Sequence, residues 1–152
     1  METQSKNTVS LINDLIIINN DRIEGYERAA KETDDAQLKS IFSHMADESR
    51  QFKNELLREV VNQGGTPAEG TTTSGKVFRA WMDIKAALTG KDRKAIIASC
   101  EFGEDAALET YEDVLKSDDL PAAIRSIVTR QKSSLQQSHD KIKLMRDTTK
   151  NI

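Results

Sequence analysis

Apolar side chains recur along this chain at helical spacing. Leu11, Leu15, Ile18, Arg22, Gly25 and Ala29 fall on one face, flanked by Ile12, Ile16, Ile23 and Tyr26. The pattern predicts a helix over about 11–33, capped by Ser10 or Thr8. Its broad stripe suits a globular bundle better than a narrow coiled-coil seam. The turn "TDDAQ" offers Asp34 or Asp35 as the next cap. A second helix, about 36–61, turns Leu38, Ile41, Phe42, Met45, Phe52, Leu56 and Val60 inward. "NQGGTPAEGTTTSG" ends it with glycine, proline and threonine. Val77, Trp81, Ile84 and Leu88 then mark a short helix over about 76–88, and Asp92 caps a long one over about 92–116. "SDDLP" makes the last turn, and Pro121 suits the opening of a helix over about 121–146.

Four long amphipathic helices and a short one bury their stripes against each other, so the fold class is all-α. Each long helix spans roughly 37 Å, at about 1.5 Å of rise per residue. Short turns join the first pair and the last pair, whereas Asn62 to Lys91 separate the pairs. That connection is long enough to run the length of a bundle, with the short helix lying against it. The alternative is an up-down-up-down bundle with an ornamented loop. Either way, residues 1–152 form a single domain. "YERAAKETDDAQLKSIF" from Tyr26 is echoed by "YEDVLKSDDLPAAIRSIV" from Tyr111, which suggests two related hairpins.

Composition narrows the function classes. The 152 residues carry 22 basic and 25 acidic side chains, a net charge of -3, with no basic run. A nucleic-acid partner is not expected. The single cysteine, Cys100, excludes an intrachain disulfide and a cysteine-based zinc site; it follows Ile96 and Ile97 at core spacing. The apolar run Leu11–Ile18 is too short to span a bilayer, so stable membrane insertion is not expected. No leader is evident, and a cytoplasmic location is the expectation. Phosphate-loop, dinucleotide and metal-hydrolase motifs are missing, and "TSGK" lacks the glycines of a phosphate loop.

Three segments carry a likeness. "FRAWMDIKAALTGKD" (78–92), "CEFGEDAALETYEDVL" (100–115) and "LPAAIRSIVTRQ" (120–131) resemble an uncharacterised bacterial family, a ferritin-like four-helix-bundle domain of unknown function. The likeness runs from about Thr8 to Met145. It implies a fold in the broad superfamily of ferritins and rubrerythrins, with the long crossover between helices two and three. It implies no established activity.

Such folds direct attention to a bundle-centre metal site. Di-iron carboxylate bundles take a Glu from each of two helices and Glu-x-x-His from each of the others, because carboxylates bridge cations and imidazoles terminate the shell. Counting rise from the Asp34 end places Glu24, Glu48, Glu101, Glu104, Gln136 and His139 near one level. The pattern is incomplete, however: Glu48-x-x-Gln51 and Gln136-x-x-His139 each lack one ligand, and His44 lies out of order. The competing reading is an interior polar network. Glu104 sits on an otherwise apolar face, Arg22 is at its depth, and Gln131 can join them. Arg22 in the space between the carboxylates would weigh against a metal. Tyr26 and Tyr111 fill space or donate hydroxyls, and Trp81 anchors the crossover helix.

The expected function is therefore a non-catalytic structural or protein-interaction module, and enzymatic activity is not expected. The alternative is a diverged metal-binding protein or di-metal oxidase with an incomplete site. The expected cofactor is none, or a weakly held metal such as iron. The expected partner is a second copy or another protein.

Overall fold

In a computed structural model of the chain, residues 2–150 are described, with side chains over 6–148. Five helices follow in order: α1 (Glu2–Glu32), α2 (Ala36–Asn62), α3 (Gly75–Gly90), α4 (Arg93–Leu115) and α5 (Ala122–Lys150). No strand occurs among the described residues.

Caps explain several boundaries. Asp35 accepts from Leu38 N at 3.0 Å to open α2, and Asp92 accepts from Lys94 N at 3.1 Å to open α4. Lys91 adopts a left-handed φ of 55° as α3 gives way to α4. At α5 the Pro121 carbonyl accepts the first helical bond, from Arg125 N. Two ends differ from the sequence expectation. Helix α1 begins at Glu2 rather than near Leu11, because its polar first turns are held by the α4–α5 turn. There Asn7 Nδ2 donates to Asp119 Oδ2 at 3.0 Å, and Thr8 Oγ1 to the Asp119 carbonyl at 2.7 Å. Helix α5 likewise continues past Arg146 to Lys150.

The crossover runs the length of the bundle. Its first half, residues 63–74, lies as a strap on α1 and travels in the same direction. Asn13 binds both Thr66 O and Ala68 N, Asn20 binds Gly70 O, and Asp21 accepts from Thr72 N and Thr72 Oγ1. Helix α3 then packs across α1 and α4. Trp81 lies directly on Gly25, where a Cβ would come within 2.2 Å of the ring. At the far end Lys91 reaches Asp34 and Arg93 pairs with Asp35. The α1 and α5 helices thus point one way, and α2 and α4 the other.

The core falls into two apolar clusters. One gathers Ile12, Leu15, Ile16, Leu56, Val60, Val114, Ile124 and Val128. The other gathers Phe42, Met45, Ile84, Leu88, Ile97, Cys100 and Ile142 around Tyr26. Buried polar residues cross the bundle between them.

Candidate functional site

This polar belt begins at Arg22, which α1 projects inward and which is 1% exposed. Its position on the apolar stripe leaves it no route to water, so the guanidinium must find partners inside. Nε donates to Glu104 Oε2 at 3.0 Å and an Nη to Glu104 Oε1 at 2.8 Å, a fork on one carboxylate. The same Nη also donates to Glu48 Oε1 at 3.3 Å, and the other Nη donates to Ser49 Oγ at 2.5 Å. Ser138 Oγ donates to the same Glu48 oxygen at 3.2 Å. The Tyr26 ring lies 5.5 Å from the guanidinium carbon, a cation–π distance. Burial pulls the Arg22 pKa down, but the Glu104 charge and lesser contributions from Tyr26 and Glu48 more than reverse it. The side chain stays a cation.

A neutral layer continues the belt. Asn19 Nδ2 donates to Leu15 O at 2.8 Å and meets the Tyr111 hydroxyl at 2.9 Å. That hydroxyl donates to Gln131 Oε1 at 2.7 Å, and Gln131 Nε2 reaches Phe52 O and Glu55 Oε1, each at 3.3 Å. Among the described residues two buried side-chain atoms lack a hydrogen-bond partner, Asn19 Oδ1 and the Tyr26 hydroxyl. Burial first, and the nearby Glu104 charge second, push the Tyr26 pKa well up. Burial and Glu104 push up the Cys100 thiol too, which keeps it protonated.

The hairpin echo accounts for the difference between the tyrosines. Aligning Tyr26 with Tyr111 matches Asn19 to Glu104, and each tyrosine faces the other hairpin's member of that pair. Aligning Ser40-Ile41-Phe42 with Ser126-Ile127-Val128 matches Met45 to Gln131. Tyr111 therefore bonds an amide at a position where the first hairpin carries methionine. Tyr26 is instead held by its ring, stacked on Phe42 at 5.7 Å and edge-on to Trp81 at 5.1 Å.

Of the six residues placed at one level by rise, the belt brings together Glu48 and Glu104. Glu101 lies at the flank of α4, where both its oxygens accept from Arg146. Glu24 is exposed beside the α1–α3 groove. Gln136 is exposed and donates to Asp140, while His139 contacts Asp105 and Asp140 at the α4–α5 flank. Gln131 lies in the neutral layer, and Trp81 sits at the crossover as described. Ser49, Ser138 and Asn19 escaped the sequence reading. Their signal is a small polar residue standing on an apolar stripe, easily taken for a gap.

The ferritin-like fold raises the question of a two-cation centre, and these residues do not fit one. Both Glu104 oxygens and Glu48 Oε1 already accept from a side-chain cation. Among the described residues no group of three or more His, Cys, Asp or Glu side chains is placed to hold a metal ion. No described helix is long and apolar enough to cross a membrane.

No curated protein matches this chain. Among solved structures, a Phe-to-Glu mutant of Dps1 from Mycobacterium smegmatis superposes with a TM-score of 0.76. The match covers 96% of this chain and 99% of that one at 10% identity, so it speaks for the fold alone: a ferritin-like bundle with a short helix in the crossover. In sequence, residues 7–117 match the family described as a domain of unknown function, DUF2383, and the chain belongs to that family.

Proposed function

We propose that this protein is a non-catalytic interaction module that pairs with a second copy of itself through the outer face of α3. The observation that carries this reading is the exposure of Phe78 (38%) and Met82 (45%) on the same side of the crossover helix. They border a hollow of about 110 Å³ between α1 and α3, floored by Gly25, Trp81 and Ile84. Apolar side chains one turn apart beside a hollow of side-chain size suit insertion by a partner. Charge favours a copy of the same surface. Lys85 on α3 stands across the hollow from an α1 wall that carries Asp21, Glu24 and Arg28, so a twofold axis along the hollow sets Lys85 of each copy against the acidic pair of the other. A face of one sign would suit an acidic or basic partner instead. The interior supports the non-catalytic part, because Arg22 engages the carboxylates that would otherwise serve chemistry.

Sedimentation velocity over a concentration series tests the reading. Wild type should dimerise, and Phe78→Asp/Met82→Asp should remain monomeric with unchanged helical circular dichroism. A wild type that stays monomeric throughout, or a double variant that dimerises as well as wild type, would overturn it.

A further inference from the structure

We infer that Glu104, Glu48, Ser49 and the face of Tyr26 form a receptor for a guanidinium ion, and that α1 supplies its ligand covalently as Arg22. Three features give the pocket this chemistry. Both Glu104 oxygens accept from adjacent nitrogens of one planar group, a fork that matches guanidinium and leaves no oxygen to bridge to a second cation. The aromatic face 5.5 Å away favours a flat, weakly hydrated cation. The third nitrogen meets a serine hydroxyl, a weak ligand for a transition metal and an ordinary acceptor for N–H. The site is therefore shaped for guanidinium, in a fold whose relatives direct attention to metals.

Solvent reaches one wall of the site, at Glu48. Helices α2 and α5 stand apart, and a crevice of about 190 Å³ opens between them. Ile41, His44, Met45, Ser134 and Ser138 line it, and Glu48 closes its inner end with 15% of its side chain exposed. Removing the Arg22 side chain leaves a buried carboxylate without its cation and a pocket that a free guanidinium ion can enter.

The test is rescue of Arg22→Ala by methylguanidinium at millimolar concentration, read by thermal unfolding. The variant should melt well below wild type. Methylguanidinium should raise its Tm with the logarithm of concentration, by about 3–5 °C for each tenfold of ligand above Kd. Urea and sodium chloride at equal concentration should not, and wild type should not move. Adding Glu104→Gln to Arg22→Ala should abolish the rescue. If Arg22→Ala does not fold in buffer, its refolding yield from urea with and without methylguanidinium reads the same effect. Elemental analysis supplies an independent arm, with wild type incubated with Fe(II) or Zn(II) and then desalted. Equal response to urea, no response to methylguanidinium, or stoichiometric metal in wild type that Glu104→Gln removes would each overturn the inference.

Discussion

Gly25→Ala is expected to destabilise this protein, although alanine is the better helix former. A Cβ at this position would lie 2.2, 2.3 and 2.8 Å from three atoms of the Trp81 ring. Carbon atoms in good contact stand about 3.5–4.0 Å apart, so the ring must retreat by about 1.3 Å. It cannot do so freely, because Tyr26 meets it edge-on at 5.1 Å and α3 carries it. Overpacking of this kind costs about 1–3 kcal/mol, and contact with three ring atoms places it near the upper end. The gain in helix propensity returns about 1 kcal/mol. The net loss is about 2 kcal/mol, or about 4–8 °C in Tm for a chain of this size. Urea unfolding measures the loss. Trp81 is the chain's single tryptophan, so its emission reports the same site and should shift to the red as the ring lifts. Gly90→Ala is the control: nothing lies within 4 Å of its added carbon, so propensity alone should act and stability should hold or rise. The decisive comparison is Gly25→Ala in a Trp81→Leu background, where the mutation should stabilise. A Gly25→Ala protein as stable as wild type, with unshifted emission, would refute the packing argument.

Two further predictions concern hydroxyls and caps. Tyr111→Phe should cost about 1–3 kcal/mol, because it strips a buried partner from Asn19 and Gln131, whereas Tyr26→Phe should stay within about 0.5 kcal/mol since its hydroxyl bonds nothing. Chemical denaturation of both variants checks this, and an equal cost would contradict the assignment of the belt. Asp35→Ala should cost about 1 kcal/mol at neutral pH through loss of the α2 cap. The Leu38 N–H, ahead of Arg93, holds the Asp35 pKa below its ordinary 3.8. A lowered acid pKa contributes stability above the unfolded value and loses it as pH falls through the folded one. The gap between Asp35→Ala and wild type should therefore narrow below about pH 3.8 in pH-dependent melts, and a constant gap would mean that the charge plays no part.

How much of this was legible beforehand depends on two coordinates of a helix. Rise along the axis decides level, and counting it brought Glu24, Glu48, Glu101 and Glu104 to a common depth. Rotation decides face, at about 100° per residue. Arg22 shares the stripe of Leu15, Ile18 and Ala29 and points inward, so Glu24 two residues on points away. Gln136 and His139 each follow an inward residue, Leu135 and Ser138, and are turned to the flank for the same reason. The apolar stripes carried the helices because every turn repeats the signal. The start of α1 was hidden because its first turns are polar and docked by a distant turn, a contact that no local pattern encodes. The serines of the belt were hidden because a small hydroxyl reads the same inside a protein and outside it.

The belt also decides which neighbouring arrangement of the helices is allowed. Apolar stripes repeat with each turn, so α4 could slide along α1 by about 5.4 Å and still bury leucine against isoleucine. Such a slip would present Cys100 or Leu108 to the guanidinium in place of Glu104. A buried charge would then lose its partner, at a cost of about 3–5 kcal/mol. Tyr111 would leave Asn19 in the same movement. A core of oil alone has many near-equivalent alignments; one internal ion pair, keyed to a single turn on each helix, reduces them to one.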